Sequence, residues 1–281
     1  MEAASAMSMD RLFGKIKQLP TIPQLLHELM QSFNDENARI DEIAAKIAMD
    51  QVISVKVLRM ANSAALRRGN EVTSIEQAVI RLGFNRLRSV VVASGIISSF
   101  KAPPGFDKHR FWTQTFQVAT IARTLAQQTK AVDPESAFTC ALIHNIGELL
   151  IQTGAPELAA QLNRSGKTDS AQRVALETLQ LGFGFPEVGA ELARRWQLPK
   201  IMQDAIAYQG KPSQAPADMP LPRLIAQAVQ IAETVRAHGG VNDEAKEALI
   251  GPLFEDIDRD KLFADLEASL EADKAFAELL S

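Results

Sequence analysis

The 281-residue chain spaces its apolar side chains three and four apart almost throughout, which confines it to helices packed on helices. Ile40, Ile43, Ala44, Ile47 and Ala48 share one helical face. Asp50 is placed to cap a following helix with the stripe Ile53, Val57, Met60, Ala61 and Ala64. Ser74 followed by Gln77 fits a capping box, and that helix is expected to end at Gly83, since glycine tolerates the left-handed conformation. Asn85 can then cap a helix running through Val90 to Ile97. The run VVVASGII alone would also suit a strand, but no β-like run lies nearby to pair with it. The expected class is all-α.

The clearest interruption is KAPPGFD at 101–107, where two adjacent prolines and a glycine cannot continue a helix. It predicts an N-terminal helical lobe over 1–103 and a second helical lobe over 104–240, followed by an acidic helical extension over 241–281. In the second lobe, helices are expected at about 108–128, 156–163, 170–180, 186–196, 199–208 and 223–238. Between the first two, Asp133 and Pro134 form a strong start signal for a helix running to about Gln152 and stopped by Gly154. The tail is expected to form one to three short helices. There is no internal repeat, heptad run or low-complexity tract.

Composition removes several classes of function. With 46% hydrophobic and 23% charged residues, the chain has the material for a packed core. Aromatics are 6% with a single tyrosine, so a stacking platform for single-stranded nucleic acid has little to work with, and nucleic acid is not an expected partner. Cys140 is the only cysteine, which excludes an intramolecular disulfide and a cysteine-rich zinc site; its setting, AFTCALI, suits a buried thiol. The start, MEAASAMSMD, lacks a basic segment followed by an apolar core, and the longest apolar stretch, Val90 to Ile97, is broken by Ser94 and Gly95. A cytoplasmic location without membrane contact is expected.

Charge is distributed unevenly. Lys56 to Arg88 holds seven basic against two acidic residues, whereas the chain from Val241 onward holds twelve acidic against four basic. Arg59, Arg81, Arg86 and Arg88 would suit an acidic partner or a phosphate, and equally a solvated helix face.

The helix expected from Pro134 is apolar on almost every side and must lie in a core, yet its middle carries His144 and Asn145, with Glu148 one turn on. Buried polar groups are costly unless satisfied, at about 1–3 kcal/mol each. His144 is therefore expected to be a neutral core histidine bonded to Asn145, Gln114 or a backbone carbonyl; the other readings are a metal ligand or a ligand contact. Glu148 is expected to pair with an arginine, the alternative being a pocket-lining acid.

ALIHNIGELLI at 141–151 resembles the signature of the HD phosphohydrolase superfamily, in which a His-Asp pair before Ile-Gly binds metal. LPTIP at 19–23, LRMANSAAL at 58–66, SIEQAVIRLGFNRLRSVV at 74–91 and FWTQTFQVATIARTLA at 111–126 resemble one branch of it, the HDOD domain of bacterial signalling proteins. The matches span roughly 15–235 in the family's order. The resemblance implies a two-lobed helical HDOD/HD-like fold. It places the superfamily's four metal positions at Gln114, His144, Asn145 and Glu233, and Tyr208 and Gln209 stand where that branch often carries paired histidines.

Two of the four positions are thus amides. Di-metal hydrolysis needs carboxylates and imidazoles to hold the cations and acidify a bound water, and Gln114 and Asn145 carry no charge. The expectation is a non-catalytic signalling module that binds a protein partner, with no metal and no cofactor. The alternatives are a metal-dependent phosphohydrolase, or a sensor that binds a nucleotide or cyclic dinucleotide without hydrolysing it. Partner, pathway and oligomeric state do not follow from the residues.

Overall fold

A computed structural model describes residues 8–16, 28–29, 39–63, 71–100, 103, 105–164, 169–216 and 218–280. Every regular element among them is a helix, as the apolar spacing predicts. The LPTIP segment, His27, Ala64, Arg67, Arg68 and part of KAPPGFD lie outside the described residues.

The first described helices are α1 (Met9–Lys15), α2 (Ile40–Ala48), α3 (Gln51–Ala61) and α4 (Ile75–Ser99). Asp50 caps α3 by accepting from the Ile53 amide at 3.0 Å, as its position in the sequence foretold. Helix α3 ends at Asn62, whose side-chain amide clamps the returning chain, donating to the Val72 carbonyl and accepting from the Val72 amide, both at 2.7 Å. The Ser74 hydroxyl accepts from the Gln77 amide at the start of α4. At Gly83 (φ 73°, ψ 163°) this helix kinks and then resumes, so the glycine interrupts α4 where the sequence predicted a stop.

Helix α5 (Lys108–Thr129) lies at the centre. It packs against α6 (Pro134–Ile143), against α12 (Pro220–Ala237) and against the final helix, α14 (Arg259–Leu280). Between α6 and α12 come α7 (Ile146–Gly154), α8 (Pro156–Arg164), α9 (Ser170–Leu181), α10 (Phe185–Arg195) and α11 (Lys200–Tyr208); α13 (Asp243–Ala248) precedes α14. Helix α14 buries Leu262, Phe263 and Leu266 and also reaches α3 and α4.

One expected helix is corrected. The apolar run from Pro134 to Gln152 is two helices, α6 and α7, separated at His144 and Asn145. Asp133 caps α6 through the Ser136 amide at 2.7 Å, as expected. Past the break, Gly147 lets α7 lie almost in backbone contact with α10: a Cβ there would sit 2.0 Å from the Phe185 carbonyl oxygen and 2.7 Å from the Gly189 amide nitrogen. Any side chain at 147 would drive the two helices apart.

Candidate functional site: a polar cluster at a helix break

The break between α6 and α7 is made by side chains. The His144 Nδ1 lies 2.6 Å from the Ala141 carbonyl oxygen, so Nδ1 carries the proton and donates it. The Ala141 carbonyl also accepts from the His144 amide at 3.4 Å, a tightened turn that does not propagate. Gln209, just beyond α11, spends both amide hydrogens on carbonyls, donating to His144 at 2.7 Å and to Ile206 at 2.9 Å. The Glu148 amide bonds to the Asn145 carbonyl instead. These bonds satisfy backbone groups that a helix interruption inside a core would otherwise leave bare.

Asn145 is held from α5. Its Nδ2 donates to Thr115 Oγ1 at 2.9 Å, and that hydroxyl passes its own proton to the Phe111 carbonyl at 2.8 Å. Of the partners expected for His144, the backbone carbonyl is the one its ring meets; Gln114, next to Thr115, is half-buried. Burial pushes the His144 imidazole down to about 4, so it is neutral near pH 7, as expected of a core histidine.

Glu148 and Glu233 are drawn toward α9 rather than toward His144. Glu233 Oε1 accepts from the Ser170 amide at 2.8 Å and from its hydroxyl at 2.5 Å. One turn further along α9, Arg173 Nη1 lies 3.2 Å from Glu148 Oε2, and its Nε lies 2.8 Å from Glu177 Oε1. Glu177 is fully buried, and its Oε2 accepts from the Phe185 amide at 2.7 Å. Burial raises the carboxyls of both acids, Glu177 to about 7, against the pull of the Arg173 guanidinium. The second terminal nitrogen of Arg173, Nη2, is buried without a hydrogen-bond partner.

The arginine expected for Glu148 is therefore Arg173. Sequence reasoning named neither it nor Ser170, Glu177 and Thr115. A faint signal existed for one pair, because Arg173 and Glu177 stand four apart on a helix visible in the sequence. The four basic candidates elsewhere divide: Arg81 donates to the Ala61 carbonyl at 3.4 Å, Arg59 and Arg86 are exposed, and Arg88 is half-buried.

These donors do not fit a di-metal centre. The structure brings together one imidazole, an amide engaged by a hydroxyl, and acids engaged by Ser170 and Arg173. Among the described residues no three His, Cys, Asp or Glu side chains are arranged to hold a metal ion. A cavity of about 450 Å³ lies at the other end of α6, lined by residues that include Gln127, Lys130 and Asp133. No helix among the described residues is long and apolar enough to cross a membrane.

Residues 19–212 match the family model of the HDOD domain. The chain belongs to the HDOD family. An HDOD protein of unknown function from Geobacter sulfurreducens has the same fold, with 25% identity, a TM-score of 0.78 and 96% of each chain covered. A protein from Shewanella amazonensis SB2B, provisionally assigned as a phosphohydrolase, is 32% identical with a TM-score of 0.79, over 98% of this chain and 100% of that one. An uncharacterized protein of Treponema pallidum (strain Nichols) is 26% identical over 73% of this HDOD chain, which spans only 40% of that protein's length.

Proposed function

We propose that this HDOD chain is a non-catalytic signal-transduction module that acts by binding another protein. One observation carries the reading: Glu233, the one acid at the HD-type positions, and the nearby Glu148 and Glu177 are already engaged from within. Arg173 answers Glu148 and Glu177, and Ser170 answers Glu233. A divalent cation would have to compete with these partners for each carboxylate, while Asn145 offers only a neutral amide.

The second reading, a metal-dependent phosphohydrolase, draws support from His144 and from the Shewanella amazonensis relative. With Nδ1–H given to a backbone carbonyl, the Nε2 lone pair is oriented as in many metal-bound histidines. One experiment separates the two. The purified protein is analysed for bound Fe, Mn, Zn and Ni and assayed for phosphodiesterase turnover, alongside His144→Ala. The expected result is substoichiometric metal and no turnover. A stoichiometric metal, with turnover abolished in His144→Ala, overturns the proposal. Calorimetry with cyclic dinucleotides and guanosine tetraphosphate tests the ligand-sensor alternative, and no heat is expected at high micromolar ligand.

A further inference from the structure

Helix α3 presents two unlike faces. Ile53, Val57, Met60 and Ala61 are buried, and the opposite face should then be polar. Instead Val52 and Val55 are 56% and 53% exposed, and Met49, which closes α2 just ahead of the Asp50 cap, is 71% exposed. Lys56 and Arg59 continue the same stripe at the spacing that makes neighbours on a helix. Neither cation has a hydrogen bond or ion pair among the described residues, and the Lys56 ammonium is held below its ordinary value by burial and by Arg59 beside it. Scattered exposed apolar residues carry no message, but two on one helical face, with an exposed methionine just ahead of the cap and positive charge beside them that has no partner among the described residues, form a surface with a defined complement.

We infer that the outer face of α3, Val52 and Val55 with Lys56 and Arg59, together with Met49 ahead of its cap, is a docking surface for an acidic amphipathic helix of a partner protein. This inference rests on the protein-binding reading above and names the surface and the partner's chemistry. A helix laid along α3 would set apolar residues at i, i+3 or i+4, and i+7 against the valines and methionine, with carboxylates over Lys56 and Arg59.

Charge disfavours the same face of a second copy, since cations would meet cations. The chain's own acidic helix, α14, already spends Leu262, Phe263 and Leu266 in its own core. An anionic membrane is a poorer complement. Interfacial helices insert large aromatic and leucine side chains, and two cations at about 1 kcal/mol each hold a protein only weakly at a lipid surface.

The test is fluorescence anisotropy with a labelled amphipathic peptide of about 18 residues, long enough for a helix, carrying a leucine stripe flanked by glutamates. The same peptide with lysines replacing the glutamates is the control. The protein is expected to bind the acidic peptide at least tenfold more tightly than the basic one. Val55→Glu and the double variant Lys56→Glu/Arg59→Glu should each weaken binding at least tenfold. Their circular dichroism should stay unchanged, and Val55→Glu should leave Tm unchanged because Val55 is solvent-facing, whereas the half-buried Lys56 allows a small shift of Tm in the double variant without loss of fold.

Equal affinity for the two peptides, or binding that survives both variants, overturns the inference. So does Val55-dependent sedimentation with vesicles of phosphatidylglycerol and phosphatidylcholine in equal parts, which assigns the face to lipid. Val55-dependent dimerisation in sedimentation velocity also overturns it and assigns the face to self-association. Turnover that requires His144 would overturn the non-catalytic reading and leave the peptide result standing, so the two failures are distinguishable.

Discussion

The two sides of the polar cluster keep hydrogen-bonding groups out of water by different means. Around His144, Asn145, Thr115 and Gln209 the partners are amides, a hydroxyl, a neutral imidazole and backbone carbonyls, and each donor meets an acceptor. Around Glu148, Arg173 and Glu177 the partners are ionisable, and one guanidinium faces the buried Glu177 and the half-buried Glu148. The neutral side distributes its stability over many modest bonds. The charged side concentrates it in one residue, because removing a single member of a buried ionic set leaves bare charge behind. A hydrolase site would need the ions turned inward toward a metal; here they are turned toward α9.

The largest effect is therefore expected at Arg173. Arg173→Met keeps the length of the side chain but strands Glu148 and Glu177, and should cost about 3–5 kcal/mol in urea denaturation. Neutralising all three positions, as Glu148→Gln/Arg173→Met/Glu177→Gln, should recover at least half of that loss. If the triple variant is no better than the single one, the contrast between the two sides fails, and Arg173 acts by packing rather than by charge.

Acidity sharpens the same comparison. The folded His144 stays neutral down to about 4, whereas an unfolded histidine takes up a proton near 6.5, so stability is lost as pH falls through that window. Glu177 runs the other way: its folded value of about 7 against the ordinary 4.5 means the folded chain binds the proton first, and stability is gained as pH falls from 7 to 4.5. At about 1.4 kcal/mol per tenfold change in proton affinity, each amounts to ~3 kcal/mol, and they oppose each other. Denaturation of the wild type should thus change little between pH 7 and pH 5 on their account. Glu177→Gln should unmask the histidine and lose about 2 kcal/mol over that interval. Parallel curves for wild type and variant would mean that Glu177 is ionised in the folded protein.

The all-α class, the Asp50, Ser74 and Asp133 caps and the Gly83 interruption were legible because each is local: a side chain three residues from the amide it caps, or a residue with no Cβ at a bend. The break at His144 was not. No glycine or proline stands at the break itself, and Gln209, sixty-five residues later, satisfies a carbonyl at it. The site was half legible. A buried neutral His144 and an arginine for Glu148 followed from desolvation alone, since neither group can sit in a core unanswered. Which arginine answered, and that Thr115 holds Asn145, depends on how α5, α7 and α9 lie against one another, which periodicity does not encode.

Gln209 offers the smallest and most specific test of the neutral side. Its two amide hydrogens serve carbonyls at the ends of two different helices, His144 after α6 and Ile206 within the last turn of α11. In Gln209→Ala both bonds vanish, but the carbonyls are uncharged and water can enter the space left by the side chain, so the cost should be about 1–2 kcal/mol rather than that of a stranded ion. Gln209→Glu keeps the shape while replacing two donors by acceptors that face two carbonyl oxygens. It should be worse than alanine if the bonds, and not the volume, hold the break. Hydrogen exchange at the Asn145 and Glu148 amides would locate the effect: faster exchange there in Gln209→Ala, with the α9 amides unchanged, is expected if the two sides of the cluster are energetically separate. Equal acceleration on α9 would mean that the neutral and charged networks open as one unit.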